Sequence, residues 1–213
     1  MAARPVFAAG IKRPGADVYM TEFTWNSGLS VSQKQKNIVA LHDAFARRFP
    51  QRRVLEISSK SLQPLGVKLS AFNLTKYVPA LGKEVPVECV YQGSKVFAAG
   101  GPYQDLYTAT ARQAKGDPRL SESGMLRKFT FDGKDFPLNP TSAFYNWLYI
   151  SALREHPELA AEVLAYDAFT DIEFNPARAF SCQAQAAAIF VSLHRQGLLE
   201  QCDSFEAFVS LVK

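Results

Sequence analysis

Hydrophobic residues recur at helical spacing through most of this chain. Ser32 is a favourable N-cap for a helix over residues 33–49, in which Ile38, Leu41 and Phe45 fall on one face. Comparable spacing, often preceded by proline or a capping residue, recurs further along the sequence. The pattern therefore predicts helices over residues 33–49, 87–99, 103–115, 142–154, 157–165, 181–196 and 204–212.

Extended segments are fewer and shorter than the helices. Residues 54–57 are a predicted strand, and residues 66–74 are predicted to be a strand or an extended lining segment. Residues 129–136 alternate into an Asp-Gly turn that is typical of a β-hairpin. Residues 1–22 carry glycine and proline turn formers and are predicted to be an irregular lead-in with one short strand. Together these patterns predict a mainly α fold with short β-strands and hairpins, which is an α+β fold.

The composition agrees with one folded domain. A chain of 213 residues with 47% hydrophobic residues is long enough for one substantial core. No apolar run reaches the ~20 residues of a membrane span, and the N-terminus lacks a signal peptide's apolar core, which predicts a cytoplasmic protein with no membrane partner. Cys89, Cys182 and Cys202 are widely spaced without a histidine set, so reduced thiols are predicted, with neither a metal nor a cofactor.

Charge is unevenly distributed along the chain. Residues 1–60 carry ten Lys or Arg against four Asp or Glu, a balance of +6, whereas residues 151–213 carry four against nine, a balance of −5. The first part of the sequence is therefore the better candidate for a surface that contacts phosphates or nucleic acid.

The most informative polar pattern lies in the predicted helix over residues 87–99. Glu88, Gln92 and Lys95 stand at positions i, i+4 and i+7, so that a carboxylate, an amide and an amine share one stripe. Two interpretations are open: an exposed polar face with ordinary helix pairs, or a reactive group of side chains beside a core.

Two other segments carry candidate binding residues. Phe72 and Asn73 can contact a base or a ribose, or they can belong to a structural turn. Residues 167–175 gather acidic and amide side chains among aromatic residues, which fits either a buried polar site or an acidic loop with capping residues. The polar members of this segment are Asp167, Asp171, Glu173 and Asn175.

Several of these segments together resemble the NADAR domain, named for its link to NAD and ADP-ribose chemistry. Residues 69–73 (Leu-Ser-Ala-Phe-Asn) resemble that family's Leu-Ser-Asn-Phe-type motif, and residues 88–95 resemble its Glu-x-x-x-Gln-x-x-Lys motif. Residues 114–115, 143–150 and 171–173 add further similarity. The closer resemblance is to the branch encoded beside DarT toxins as an antitoxin.

The resemblance covers residues 23–195 of a single predicted domain over residues 1–213, and residues 196–213 are predicted to be a C-terminal helical extension. In one place the sequence departs from the family. An Asp-x-x-Trp-Gly segment follows the family's late glutamate, whereas residues 175–180 here read Asn-Pro-Ala-Arg-Ala-Phe. Asp167 or Asp171 is the candidate replacement for that aspartate.

The resemblance implies a hydrolase that removes ADP-ribose from guanine in nucleic acid and so reverses the modification made by a DarT-type toxin. A ribose joined through the exocyclic amine of guanine can open to an imine, and an uncharged lysine can then attack C1″ to form a Schiff base. Such a lysine needs a pKa below the usual ~10.4. Lys95 is the predicted nucleophile and Glu88 the acid and base, with Asp171 and Glu173 binding ribose hydroxyls or stabilising the intermediate.

The remaining predicted contacts are to substrate. Gln92 is predicted to orient the ribose, and the cations of Lys60, Lys68 and Arg112 to meet the pyrophosphate. Trp25 and Tyr103, close to turns, are predicted stacking platforms. The substrate-binding residues predicted on all these grounds are Gln92, Asn73, Ser70, Phe72, Lys60, Lys68, Arg112, Trp25, Asp167 and Asn175.

Three functions are compatible with these features. The first acts on ADP-ribosylated DNA, single-stranded in particular, with a DarT-type toxin as a further partner. The second keeps the fold but hydrolyses a small N-glycoside such as a riboflavin-pathway intermediate, and its activity is expected to be insensitive to salt. The third is a non-catalytic antitoxin that binds the toxin or shields modified DNA.

Overall fold

The computed structural model describes residues 1–177 and 179–212. In chain order its strands are β1 (Ala2–Ala9), β2 (Ala16–Phe23), β3 (Val54–Glu56), β4 (Thr75–Val78), β5 (Lys83–Pro86), β6 (Lys95–Phe97), β7 (Leu126–Phe131), β8 (Lys134–Phe136) and β9 (Ala168–Thr170). Its helices are α1 (Val31–Arg48), α2 (Pro64–Lys68), α3 (Val87–Gly93), α4 (Ala111–Lys115), α5 (Arg119–Glu122), α6 (Ala143–Arg154), α7 (Pro157–Val163), α8 (Gln183–Arg195) and α9 (Phe205–Leu211). The predicted α+β class is confirmed.

The chain forms two compact units. Unit 1 contains Met1–Ser70 and the described part of Glu158–Lys213, and unit 2 contains Ala71–Pro157. Arg178, in the segment that departs from the family pattern, and Lys213, at the end of the predicted C-terminal extension, lie outside the described residues.

Unit 1 is built on a four-stranded sheet with the strand order β2-β1-β9-β3. β9 pairs antiparallel with β1 and parallel with β3. The helix α1 buries Ile38, Leu41 and Phe45 in a core that also contains Val6 and Ala168 from the sheet. The helix α8 is buried along most of its length, which explains its almost uniformly small and apolar sequence.

The prediction of an irregular lead-in over residues 1–22 is wrong. β1 and β2 form a hairpin that pairs from Ala2 opposite Phe23 to Ala9 opposite Ala16. The turn formers that suggested irregularity are confined to the connection, where Gly10 N donates to Gly15 O at 2.9 Å. β1 is almost continuously apolar because it is a central strand, and it therefore lacks the alternation expected of an exposed hairpin.

The predicted strand over residues 66–74 is also wrong, because its first residues belong to the helix α2. Pro64 occupies the first turn of α2, a position that proline favours. Gly66 lies against β3: a Cβ there would stand 1.9 Å from the backbone oxygen of Glu56 and 2.4 Å from Ser61 Oγ. Only glycine permits this close approach.

We expect Gly66→Ala to lower the free energy of unfolding by about 2–3 kcal/mol, because backbone must move to admit the methyl group. Gly116→Ala is the matched control, since a Cβ there would stand 3.4 Å from Arg112 O at a negative φ. The control is expected to change stability by less than about 1 kcal/mol. Urea unfolding of both variants measures the difference, and equal midpoints would contradict the close packing of α2 on β3.

Unit 2 carries two small antiparallel sheets, β4-β5 and β6-β7-β8. The hairpin predicted over residues 129–136 is confirmed: Phe131 pairs with Lys134 around Asp132 and Gly133. Both turn residues have positive φ, 49° and 70°, as a two-residue type I′ connection requires. Phe129 and Phe136 pack their rings on Phe144 of α6, at 4.5 and 4.9 Å between centroids.

The predicted helix over residues 87–99 is only half formed. α3 ends at Gly93, where a Cβ would lie 2.5 Å from the Tyr107 ring, and Lys95 begins β6. Lys95 pairs with Phe129 of β7, so strand pairing replaces the last helical turns. The predicted helix over residues 103–115 is likewise divided into a 3-10 turn over Gln104–Thr108 and the helix α4.

Candidate functional site

The helix α3 and the strand β6 of unit 2 bring three polar side chains together. Glu88 and Gln92 are 6% and 7% exposed, one helical turn apart on α3. Lys95 Nζ donates to Gln92 Oε1 at 2.7 Å, and Gln92 Nε2 donates to Glu88 Oε1 at 2.8 Å. The amide of Gln92 thus joins the amine to the carboxylate, although Lys95 lies beyond the end of the helix.

The surroundings of Lys95 disfavour its charged form. Burial lowers the pKa of Lys95 to about 8, the negative charge of Glu88 opposes this shift, and the positive charge of Lys115 adds to it. Lys95 Nζ also lies 4.6 Å from the centroid of the Tyr91 ring, a contact that attracts the charged amine and so opposes the shift. At pH 7.5 a pKa of about 8 leaves about a quarter of the amines uncharged, against roughly one in a thousand for an ordinary lysine.

Lys115 borders this group of side chains. Its Nζ lies 3.9 Å from Glu88 Oε1 and 5.3 Å from the centroid of the Phe72 ring. Its side chain is 62% exposed, so the ion pair contributes little to stability, but its charge acts on both Glu88 and Lys95. We call Glu88, Gln92, Lys95 and Lys115 the amine cluster.

The neighbouring thiol of Cys89 is not a competing nucleophile. Cys89 is buried, its Sγ donates to Ala109 O at 3.3 Å, and burial raises its pKa to about 11. The thiolate, which is the reactive form, is therefore scarce near neutral pH. All three cysteines are free and buried.

Unit 1 contains a separate buried polar group around Glu56 of β3. Glu56 Oε2 accepts from Thr170 Oγ1 at 2.5 Å, and Oε1 accepts from Ile172 N at 2.9 Å. Burial raises the pKa of Glu56. His42 Nε2 lies 2.8 Å from Thr170 Oγ1, and burial lowers the pKa of His42 to about 4, so this imidazole is neutral. Because Thr170 Oγ1 donates its one proton to Glu56, His42 Nε2 is the donor to the hydroxyl. The group fixes the backbone that precedes Glu173.

The acidic segment of unit 1 has partners of its own. Asp171 Oδ1 accepts from Glu173 N, and Oδ2 accepts from Gln183 Nε2, both at 3.0 Å. Glu173 is 45% exposed and pairs with Lys34 at 3.2 Å. Lys34 Nζ also lies 5.8 Å from the centroid of the Trp25 ring.

A family model of DarT1-associated NADAR antitoxins matches residues 2–213, nearly the whole chain. The chain belongs to this antitoxin family. The family predicted from the motifs is confirmed, and the match extends beyond residues 23–195 to include the β1–β2 hairpin and α9. A comparison with curated proteins finds no match to this sequence.

The predicted site residues of this antitoxin divide between the two units. In unit 2, Phe72 is half-buried, whereas Asn73 and Arg112 are exposed. The predicted site residues in unit 2 are Phe72, Asn73, Glu88, Gln92, Lys95 and Arg112. The predicted site residues in unit 1 are Trp25, Lys60, Lys68, Ser70, Asp167, Asp171, Glu173 and Asn175.

Two predicted site residues of unit 1, Asp167 and Asn175, bind neighbouring residues of the same unit. Asp167 Oδ2 accepts from Arg53 N at 2.8 Å, and Oδ1 pairs with Arg195 at 3.0 Å. Asn175 Oδ1 accepts from Ala177 N at 3.0 Å, as an amide does in a turn. These contacts are sufficient to explain why Asp167 and Asn175 stand where they do.

The remaining predicted contact residues are two lysines, one serine and two aromatic rings. Lys60 Nζ donates to Ser59 Oγ at 3.0 Å, Lys68 is exposed on α2, and Ser70 is buried. The ring of Trp25 also faces the guanidinium of Arg4 at 5.3 Å, and the ring of Tyr103 faces that of Arg119 at 4.4 Å. Both predicted stacking platforms therefore already have a cation over the ring.

Sequence patterns did not identify three residues that shape these groups: Glu56, Tyr91 and Lys115. A signal existed for Glu56, because an acidic residue stands in the otherwise apolar segment of residues 54–57. Lys115 belongs to the family-like residues 114–115, but no role was predicted for it, and Tyr91 had no signal. The relation of both to Lys95 and Glu88 depends on tertiary contacts. Among the described residues there is no trio of His, Cys, Asp or Glu placed to hold a metal ion, and no helix has the length and apolarity to cross a membrane.

Proposed function

We propose that this antitoxin is a glycohydrolase that removes ADP-ribose from guanine bases in DNA through a Schiff base on Lys95. The observation that supports this most is the amine cluster: a half-buried lysine with a pKa of about 8, joined through Gln92 to a buried carboxylate. Family membership supports the antitoxin role and the association with a DarT1 toxin.

The low pKa of Lys95 supports a nucleophilic role over a binding role. A lysine that only binds phosphate is favoured by a full positive charge and by exposure to solvent. Burial of Lys95 opposes that charge, and in unit 2 the exposed Lys115 and Arg112 are better placed to attract the pyrophosphate. We therefore assign the covalent step to Lys95 and the electrostatic attraction to Lys115 and Arg112.

The proposed bond changes take place at the ribose carbon C1″. Opening of the ribose ring converts the N-glycoside into an imine between C1″ and the exocyclic nitrogen of guanine. The uncharged Lys95 Nζ adds to C1″, and its two protons pass in turn to the exocyclic nitrogen. The bond between C1″ and that nitrogen then breaks, so guanine leaves with a free NH2 group and the C1″=Nζ Schiff base forms. Water then adds to the C1″=Nζ Schiff base and releases ADP-ribose, which regenerates the lysine amine.

Glu88 is the proposed carrier of these protons, and Gln92 positions the amine. Neither role requires a metal or a cofactor. An amide does not exchange protons readily, so Gln92 serves as a fixed acceptor for Lys95 and a fixed donor to Glu88. Because Asp171 and Glu173 already bind Gln183 and Lys34 within unit 1, we assign the bond-breaking chemistry to unit 2 alone.

The test is release of free ADP-ribose from a single-stranded oligonucleotide that carries one ADP-ribosylated guanine. At a protein concentration of one hundredth of the substrate, we expect many turnovers with guanine and few or none with an ADP-ribosylated thymine. Tight binding without release would instead support a non-catalytic antitoxin. Turnover of small N-glycosides alone would contradict the proposed DNA substrate.

A further inference from the structure

A cluster of arginines in unit 1 has no place in the proposed chemistry. Four arginines occur within the seven residues 47–53 (Arg-Arg-Phe-Pro-Gln-Arg-Arg), at the end of α1 and before β3. We call Arg47, Arg48, Arg52 and Arg53 the arginine segment. Arg47, Arg48 and Arg53 are exposed, and Arg52 is half-buried.

Three of these guanidinium groups contact aromatic rings, and none of the three pairs with a carboxylate among the described residues. The guanidinium carbon of Arg52 lies 5.0 Å from the centroid of the Phe49 ring and 5.2 Å from that of Tyr19. Arg48 lies 5.4 Å from the Phe49 ring, and Arg53 lies 4.9 Å from the Tyr166 ring. These three rings are half-buried, so part of each remains open to solvent.

The positive charges of the arginine segment are not neutralised by neighbours. Among residues 1–177 and 179–212, none of its four side chains forms an ion pair with a carboxylate. Arg119 shows the contrast: it also lies on a ring, that of Tyr103, but it pairs with Asp105 at 2.7 Å and Asp117 at 2.9 Å. Similarly, Asp167 pairs with Arg195 and binds only the backbone of Arg53.

Such an arrangement suits one class of ligand. Guanidinium groups that pack against rings are already partly ordered, so less conformational entropy is lost when a phosphate binds to them. Proteins that bind single-stranded nucleic acid combine unpaired cations with partly exposed aromatic rings on which bases stack. A nucleic acid strand supplies both phosphates for the guanidinium groups and bases for the rings.

We propose that the arginine segment binds the sugar-phosphate chain of single-stranded nucleic acid, with Phe49, Tyr19 and Tyr166 supplying ring contacts. The proposal extends the proposed function, on which it rests for its biological purpose, because it makes a nucleic acid strand the substrate in place of a free ADP-ribosyl nucleoside. Unit 1 then supplies affinity for the strand, and the amine cluster of unit 2 supplies the chemistry.

The test measures binding of an unmodified, fluorescently labelled single-stranded oligonucleotide as salt is raised. The variant Arg47→Gln/Arg48→Gln/Arg53→Gln removes the three exposed charges and leaves the half-buried Arg52 in place. We expect affinity at low salt to fall at least ~10-fold, and the slope of log affinity against log salt to decrease by about 2. Replacement of the same three residues by lysine is expected to retain most of the salt slope.

The matched control is Lys12→Gln/Lys83→Gln/Arg127→Gln, which removes the same charge from exposed positions that make no ion pair among the described residues. This control is expected to keep most of the wild-type affinity and slope. Equal losses in the two triple variants would overturn the proposal, since only net charge would then matter. If the triple variant lacks a native circular dichroism spectrum, Arg47→Gln/Arg48→Gln is measured instead, with an expected decrease in slope of about 1.4.

The two proposals can fail separately. Binding of the unmodified strand does not depend on hydrolysis, so strand binding that requires the arginine segment, without ADP-ribose release, would overturn only the glycohydrolase. Conversely, the wild type could release ADP-ribose while the triple variant binds the strand as tightly as the wild type does. That result would overturn only the proposal for the arginine segment. Tighter binding of an acidic protein than of the oligonucleotide at this segment would also overturn it.

Discussion

Lys95→Ala is expected to lower the rate of ADP-ribose release by at least about 10³-fold, because the attacking amine is lost. Lys95→Arg is expected to be equally inactive, since a guanidinium keeps its charge at any pH of the assay and cannot form a Schiff base. Single-turnover release from the ADP-ribosylated guanine oligonucleotide measures both. Neither substitution changes the backbone pairing of Lys95 with Phe129, and the side chain is half-buried, so folded variants are expected.

Borohydride reduction tests the covalent step directly. Reduction during turnover is expected to fix ADP-ribose to a peptide that contains Lys95 in the wild-type protein and to give no adduct in Lys95→Ala. Lys83→Ala is the matched control, because Lys83 is an exposed lysine of β5 in the same unit. An adduct that persists in Lys95→Ala, or full activity of that variant, would refute the assignment of Lys95 as nucleophile.

Glu88→Gln is expected to lower kcat by about 10²- to 10⁴-fold, because the carboxylate that carries protons is replaced by an amide of the same shape. The variant keeps an oxygen that can accept from Gln92 Nε2, so the geometry of the amine cluster is disturbed little. A loss of kcat with KM nearly unchanged is therefore the expected pattern. A variant with wild-type kcat would exclude Glu88 from proton transfer.

The pH dependence of kcat/KM in Glu88→Gln is a second test, for which the direction of the shift is predicted. In the wild type, kcat/KM is expected to rise with pH as Lys95 loses its proton at about pH 8. The charge of Glu88 raises the pKa of Lys95, so the rising limb is expected to move to lower pH in Glu88→Gln. Lys115 lowers that pKa, so Lys115→Gln is expected to move the limb to higher pH.

Opposite shifts of the rising limb distinguish titration of Lys95 from titration of a different group. Burial is the largest cause of the low pKa, so neither substitution is expected to restore the usual value near ~10.4. Lys115→Arg, which keeps the positive charge, is the matched control and is expected to leave the limb in place. Shifts in the same direction for Glu88→Gln and Lys115→Gln, measured between about pH 6 and pH 10, would show that another group controls the rate.

Local sequence patterns correctly predicted the elements that depend mainly on residues close together in the chain. The Asp-Gly turn of residues 132–133 needs positive φ at both positions, and those residue types supply it wherever the hairpin lies. The helices α1, α6 and α8 lie within two residues of the predicted ends because their apolar spacing marks their extent. The predicted N-cap of α1 is wrong: Ser30, not Ser32, caps this helix, and its side chain accepts from Gln33 N at 3.3 Å. The motifs also identified the family, since residue order along the chain carries that information.

Tertiary contacts decided the elements that local patterns misplaced. β1 is a buried central strand whose partners lie at both ends of the chain, in β2 and β9, so its apolar run showed no strand alternation. Lys95 belongs to a strand only because β7 pairs with it, and Gly93, the last residue of α3, packs against the Tyr107 ring. None of these partners can be found from the local sequence.

The same division holds for the amine cluster. The sequence by itself determined that Glu88, Gln92 and Lys95 are the right residue types at a suitable spacing, and it left open whether they form an exposed face or a reactive group. Only the tertiary structure decided that Lys95 is half-buried, with the Tyr91 ring beside it and Lys115 near Glu88. A pKa depends on desolvation and on charges that surround the group in space, and neither is written in the spacing of residues along the chain.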